Sequence, residues 1–156
     1  MSNDTNPTVF NTIEEALTAI RQGEMVMVVD DDDRENEGDL IMAASKATPE
    51  AVAFMIRHTS GILCMPILQE QAVKLHLDPM VSRNDAPMST AFTVSIDYKE
   101  GLTTGISAEE RAATTQALTN SNVSADDFVR PGHIFPWWRV KAGFWCARVI
   151  PRLVPT

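Results

Sequence analysis

MVMVVDDDDRENEGDLIMAA, residues 25–44, runs five apolar residues into four aspartates, adds two glutamates and a fifth aspartate, and then turns apolar again. MVMVV (25–29) reads as a buried strand and LIMAA (40–44) as a second one, because both are short apolar runs bounded by polar turn residues. No helix fits between them. Strands joined by a loop alone run antiparallel as neighbours, whereas a parallel pair needs a long crossover. The stretch therefore predicts a sheet that is mixed rather than wholly parallel.

Outward from this hairpin the chain alternates helices and strands. Asn11 is placed to cap a first helix with Glu14 at its third position, and Ile13, Ala16, Leu17 and Ile20 form an apolar stripe that stops at Gly23. Thr48, Pro49 and Glu50 open a second helix running to about Arg57, and ILCMPI (62–67) reads as a third strand. A short helix is expected over 69–76. The loop 78–89 holds Pro79, Asn84, Asp85 and Pro87, all turn formers. TAFTVSID (90–97) is rich in β-branched and aromatic residues and reads as a strand, and Ser107 with Glu110 matches a capping box for a helix to about Thr119. The order αββαβαβα predicts an α+β fold, a three-layer αβα domain with a mixed β-sheet.

At 156 residues with 44% apolar content the chain is long enough for one domain with a real core. Its formal net charge of −8 argues against nucleic acid as a partner, since phosphate backbones are bound by summed Lys and Arg contacts. MSNDTNPTVF lacks the basic and apolar regions of a secretory leader, and no run approaches the length of a membrane span. These features predict a cytoplasmic protein without a membrane partner. Cys64 and Cys146 form no CxxC pair and are expected to be reduced thiols.

A run of charge is ordinarily a solvated turn, but this one has internal order. Glu35, Glu37 and Asp39 alternate, which in an extended segment puts their carboxylates on one side, with Arg34 among them. Like charges held that close need a compensating cation. Oxygen donors favour a hard divalent ion, Mg2+ or Mn2+, over zinc. An EF-hand loop fails on spacing: counted from Asp31, Asn36 stands where the sharp turn needs Gly, and no Glu occupies the twelfth position.

DDDDRENEGDLIMAA (30–44), RHTSGILC (57–64), TAFTVSID (90–97), GLTTGISAEERA (101–112) and RPGHIFP (130–136) resemble, in order, the successive motifs of the 3,4-dihydroxy-2-butanone 4-phosphate synthase family. The resemblance covers most of the chain from residue 10 to Pro136. It implies a homodimeric, Mg2+-dependent lyase of riboflavin biosynthesis that converts the phosphosugar ribulose 5-phosphate to formate and a four-carbon phosphate. It also implies roles for individual residues: Glu35 as metal ligand, Arg34, Glu35 and Asp39 in contact with substrate, Glu37 as a further acid–base or metal candidate, and His133 as the catalytic histidine. Cys64 would line the substrate site. Thr103, Thr104 and Ser107 offer either a phosphate site or ordinary helix capping. His58, at a helix end, and His76, on a helix surface, have no such support.

The likeness stops at Pro136. The first 136 residues carry 9 Lys and Arg against 21 Asp and Glu, net −12, whereas WWRVKAGFWCARVIPRLVPT (137–156) carries four Lys or Arg, no acid and all three tryptophans. The family continues instead to a segment ending RAGHTEA, whose His is the second metal ligand. Back-translated codons of the tail, with one nucleotide restored after Pro136, read LVAREGGVLVRAGHTE without conflict at any fixed position. The expected organisation is thus a partial synthase-like domain over 1–136 and a frameshifted tail over 137–156. A divergent tail and a basic, aromatic interaction segment are the alternatives. With the tail out of frame, the domain is incomplete at its C-terminus.

Overall fold

The computed structural model describes residues 10–30, 36–138 and 148–150. The trace divides into two compact units, one formed by Met1–Ala43 with Phe144–Thr156 and the other by Ala44–Gly143. The fold class is α+β, as expected.

In the first unit, helix α1 (Ile13–Gln22) precedes strand β1 (Val26–Val29) and strand β2 (Gly38–Ile41). The N-cap is Thr12, one residue later than the sequence suggested. Its hydroxyl accepts from the Glu15 amide while the Glu15 carboxylate accepts from the Thr12 amide, a reciprocal pair that Asn11 and Glu14 do not make. The Thr12 amide is also the main reason the Glu15 carboxyl is held below its ordinary value. Gly23 ends the helix at φ +86°, a left-handed conformation that glycine adopts without steric cost. Of the apolar stripe, Ala16 is buried with Val26, and Ala19, Ile20 and Val28 pack around them.

β1 pairs antiparallel with β2, Val29 opposite Gly38 and Val26 opposite Ile41. The second strand therefore begins two residues earlier than expected, inside the acidic motif, and Ala44–Lys46 form a 3-10 turn where the strand was expected to end. On its other edge β1 pairs antiparallel with β6 (Arg148–Ile150), completing a three-stranded sheet in the order β2-β1-β6.

The second unit holds α2 (Pro49–His58), β3 (Cys64–Ile67), α3 (Gln69–Lys74), β4 (Ile96–Tyr98), α4 (Ala108–Ala117) and β5 (Phe128–Trp138). Thr48 caps α2 with Pro49 at its first turn, as the sequence predicts. The sheet order is β3-β5-β4, with β3 parallel and β4 antiparallel to β5. This is the mixed sheet. The hairpin from which mixing was inferred lies in the other, wholly antiparallel sheet, so the expectation holds for a different reason.

Two further differences concern the site. The central strand β5 covers RPGHIFP, a stretch to which the sequence reading assigned no strand. The expected strand 90–97 forms a ladder only from Ile96. Before it, Phe92 bridges to Trp137 and Thr93 to Pro79 as isolated pairs. The core packs Leu75, Ile96, Leu118, Phe128 and Ile134 together, with Trp138 partly buried against them. α4 packs on β4 and β5, and α2 packs on α4.

Candidate active site

β4 and β5 do not pair in simple register. Ile96 faces Ile134, but the next residue, Asp97, faces Val129. Arg130, Pro131, Gly132 and His133 are thus surplus to the ladder and fold out of it as a bulge. Bulges of this kind re-aim side chains and recur beside active sites.

Each residue of the bulge has a physical reason to be there. The Arg130 guanidinium donates to the carbonyls of Ala125, Phe128 and Leu75, anchoring the start. Pro131 follows through a cis peptide bond. Gly132 lies against β4 so closely that a Cβ would come within 3.0 Å of the Ile96 carbonyl and the Asp97 amide nitrogen. Its amide donates to Ser95 Oγ at 3.1 Å.

His133 is the product of this geometry. Its amide donates to Asp97 Oδ1 at 2.8 Å, and its ring Nδ1 lies 2.8 Å from Asp97 Oδ2. Asp97 is only 3% exposed, whereas the His133 side chain keeps 35% of its surface. Paired in this way, Nδ1 is turned to the buried carboxylate and Nε2 is turned away from it. That is the arrangement of a general base oriented by a buried acid.

A loop closes over the pair. Gly105, at φ +79°, approaches so tightly that a Cβ would fall within 3.0 Å of the Asp97 carboxylate and of His133 Nδ1. The loop hangs from α4: the Glu110 carboxylate accepts from the amides of Thr103 and Gly105 and from the Thr103 hydroxyl. The Thr103 amide is the largest cause, and its hydroxyl the next, holding the Glu110 carboxyl below its ordinary value. Ser107 caps α4 by accepting from the Glu110 amide. The Ser107 amide and hydroxyl are further, smaller causes holding the Glu110 carboxyl down, so this side chain lies at the cap as well as at the 103–105 loop. For Ser107 the capping role is the one observed.

In the first unit, Glu37 and Asp39 are exposed. The Glu37 carbonyl accepts from the Asp30 amide at 3.0 Å, extending the β1–β2 ladder by one bond, and Asp39 stands opposite Val28. Two residues apart on extended backbone, the two side chains leave the same side; the third carboxylate of the expected row, Glu35, is not among the described residues. Asn36 turns the chain just before them at φ +50°. Arg34 and Glu35 lie outside the described residues. Among the described residues no three His, Cys, Asp or Glu side chains gather as a metal cage. The carboxylates of Glu37 and Asp39 are nevertheless of the right chemistry for a hard divalent cation.

Cys64 is exposed and alternates with the buried Met65 and Ile67. His58 ends α2, stacked near Phe54 with ring centroids 4.4 Å apart. His76 lies beyond α3 rather than on it, exposed at φ +51°. Sequence reasoning missed Asp97, Ser95, Gly105 and the side-chain role of Glu110. One signal for Asp97 was present: a lone acid closing the apolar and β-branched run TAFTVSID.

These features define a class, an α+β protein with an oriented imidazole and a separate acidic hairpin. Over residues 14–146 the sequence matches the family 3,4-dihydroxy-2-butanone 4-phosphate synthase, and the chain belongs to that family. It is 56% identical over 136 residues to the riboflavin biosynthesis protein RibBA of Nocardia farcinica, covering 87% of this chain and 33% of that one. It is 51% identical over 128 residues to the 3,4-dihydroxy-2-butanone 4-phosphate synthase of Candida albicans, covering 82% of this chain and 63% of that one. A synthase of this name solved in complex with two magnesium ions superposes with a TM-score of 0.81 at 45% identity, over 84% of this chain and 61% of that one. The chain thus spans between a third and two thirds of the length of these relatives.

Proposed function

We propose that the chain carries the body of a lyase that converts D-ribulose 5-phosphate to 3,4-dihydroxy-2-butanone 4-phosphate and formate. The observation that carries this reading is His133, the residue the family resemblance makes essential, held by Asp97 with its other ring nitrogen available. The five substrate carbons divide between the four-carbon product and formate, so the reaction needs proton transfers through an enediol and no external oxidant. His133 Nε2 takes and returns such a proton.

The acids of the hairpin have the second role. Glu35 is assigned to the metal and to substrate, Arg34 and Asp39 to substrate, and Glu37 to the metal or to proton transfer. A bound Mg2+ or Mn2+ would polarise carbonyl and hydroxyl oxygens of the sugar. The exposure of Glu37 and Asp39 on one side supports this assignment, as does their oxygen chemistry. The reading includes a cytoplasmic homodimer.

The reading also includes the boundary at Pro136, with 137–156 a frameshifted tail. Trp137 and Trp138 continue β5 opposite Pro66 and Ile67. The restored frame puts Leu and Val at those positions, also apolar, so β5 ends on strand-compatible residues in either frame. Beyond them the restored frame regains RAGHTE, and with it the second histidine ligand.

A second reading follows from the abrupt charge change at residue 137: a non-catalytic product that only binds the phosphosugar or an intact subunit. Formate release from ribulose 5-phosphate with Mg2+ separates the two. The expected result is turnover by the frame-restored chain and none by the 156-residue chain. Turnover by the 156-residue chain refutes the requirement for the restored histidine, and failure of both refutes the synthase reading.

A further inference from the structure

A buried carboxylate is costly unless its charge is compensated and its oxygens are bonded. Asp97 satisfies that demand through one residue. Its Oδ1 accepts the His133 amide and its Oδ2 faces the His133 ring, both at 2.8 Å. Three charged side chains of the neighbouring elements are engaged elsewhere. Arg130 is spent on three carbonyls, Lys99 donates to the Asp126 carbonyl, and Glu110 holds the amides of Thr103 and Gly105. Asp97 therefore grips both the backbone and the ring of a single residue, and Gly105 closes against its carboxylate where any side chain would intrude.

We infer that Asp97 is the positioning residue of the reaction: it fixes the His133 ring and its tautomer, so that Nε2 is always the proton-accepting nitrogen, and Gly105 is glycine because the pair leaves no room for a Cβ. This rests on the reading of His133 as the proton carrier. The interaction is geometric as well as electrostatic. The backbone bond sets where His133 leaves the bulge, and the ring bond sets how the imidazole is turned. An amide at position 97 keeps the shape but can present N–H to the ring, inviting the opposite tautomer.

Nitrogen-15 shifts of the imidazoles in the 156-residue chain test this directly. With only three histidines, His58, His76 and His133, signals are assigned by single substitution of His58 and His76. At a pH where the rings are neutral, His133 is expected in the Nδ1–H form. Asp97→Asn is expected to abolish that preference, and Gly105→Ala to disturb it by forcing the pair apart. In the frame-restored chain, Asp97→Asn is expected to lower kcat roughly 10²- to 10⁴-fold, the range of general acid–base catalysis, with KM little changed. An Nε2–H tautomer in the unmodified chain overturns the inference, and it does so even when the variants fail to fold. Full kcat in Asp97→Asn overturns it too. Absence of turnover in the unmodified frame-restored chain is a different result: it removes the synthase reading and leaves the tautomer to decide the positioning claim.

Discussion

Gly132→Ala is the sharpest perturbation of the fold around His133. A methyl at this position would lie within 3.0 Å of the Ile96 carbonyl carbon and oxygen and of the Asp97 nitrogen. All three are backbone atoms of β4 and cannot swing aside as a side chain would. Overpacking costs about 1–3 kcal/mol, and rigid neighbours put this case near the upper end. Moving the bulge away also stretches the Gly132 bond to Ser95 and the His133 amide bond to Asp97, each worth about 1 kcal/mol. The sum is about 5 kcal/mol, a large part of the roughly 5–15 kcal/mol that holds a domain of this size. With a urea m-value of about 2 kcal/mol/M, the midpoint should fall by about 2.5 M. Gly61→Ala is the control, because a Cβ there meets nothing within 4 Å and should change stability by less than about 0.5 kcal/mol. Equal midpoints for the two variants would refute the reasoning, since they would mean that the bulge can lift from β4 without cost.

Ile134→Ala removes a side chain 1% exposed at the centre of the mixed sheet and should cost about 2–5 kcal/mol by the same denaturation. Thr48→Ala removes the hydroxyl that accepts from the Ala51 amide and should cost about 1 kcal/mol, with hydrogen exchange rising first in the opening turn of α2. The Glu110 carboxyl is held below its ordinary value of 4.5, so its bonds to the 103–105 loop persist above that pH and loosen as pH falls through the lowered value. The amide shifts of Thr103 and Gly105 should therefore titrate below 4.5, and a midpoint at or above it would contradict the assignment. Titration with Mg2+ should move the amides of Glu37 and Asp39 and leave those of Thr103 and Gly105 in place, and Glu35→Gln should weaken the response.

What could be read from the sequence followed local rules. α2 begins at Pro49 behind its Thr48 cap, β1 lies where the apolar run demands it, and Glu37 and Asp39 leave one side of an extended segment. The central strand β5 was unreadable for an equally physical reason. Pro131 and Pro136 lack the N–H a ladder uses, and such residues argue against a central strand. Here Pro131 sits in the bulge, while the Pro136 carbonyl serves the amide and hydroxyl of Thr93. Tertiary pairing outweighed the local signal. The partner of His133 escaped for a related reason: Asp97 and His133 are 36 residues apart, and only the four-residue bulge brings them together. Gly105 carried no signal at all, since a close approach is a property of the folded chain.

The place of β5 also fixes an order of assembly. β3 and β4 have no ladder with each other; each is joined to the sheet only by a strand that lies after both in the chain. Cys64 must wait for Phe135, and Ile96 for Ile134. Long separations of this kind delay folding, because the entropy of closing the loop is lost before any contact repays it. During synthesis the second unit accumulates two strands with unsatisfied edges until residues 128–138 emerge. Those edges are open to pairing with other chains in the interval, so a ribosome that stalls shortly before Trp138 holds the most adhesive form of this protein.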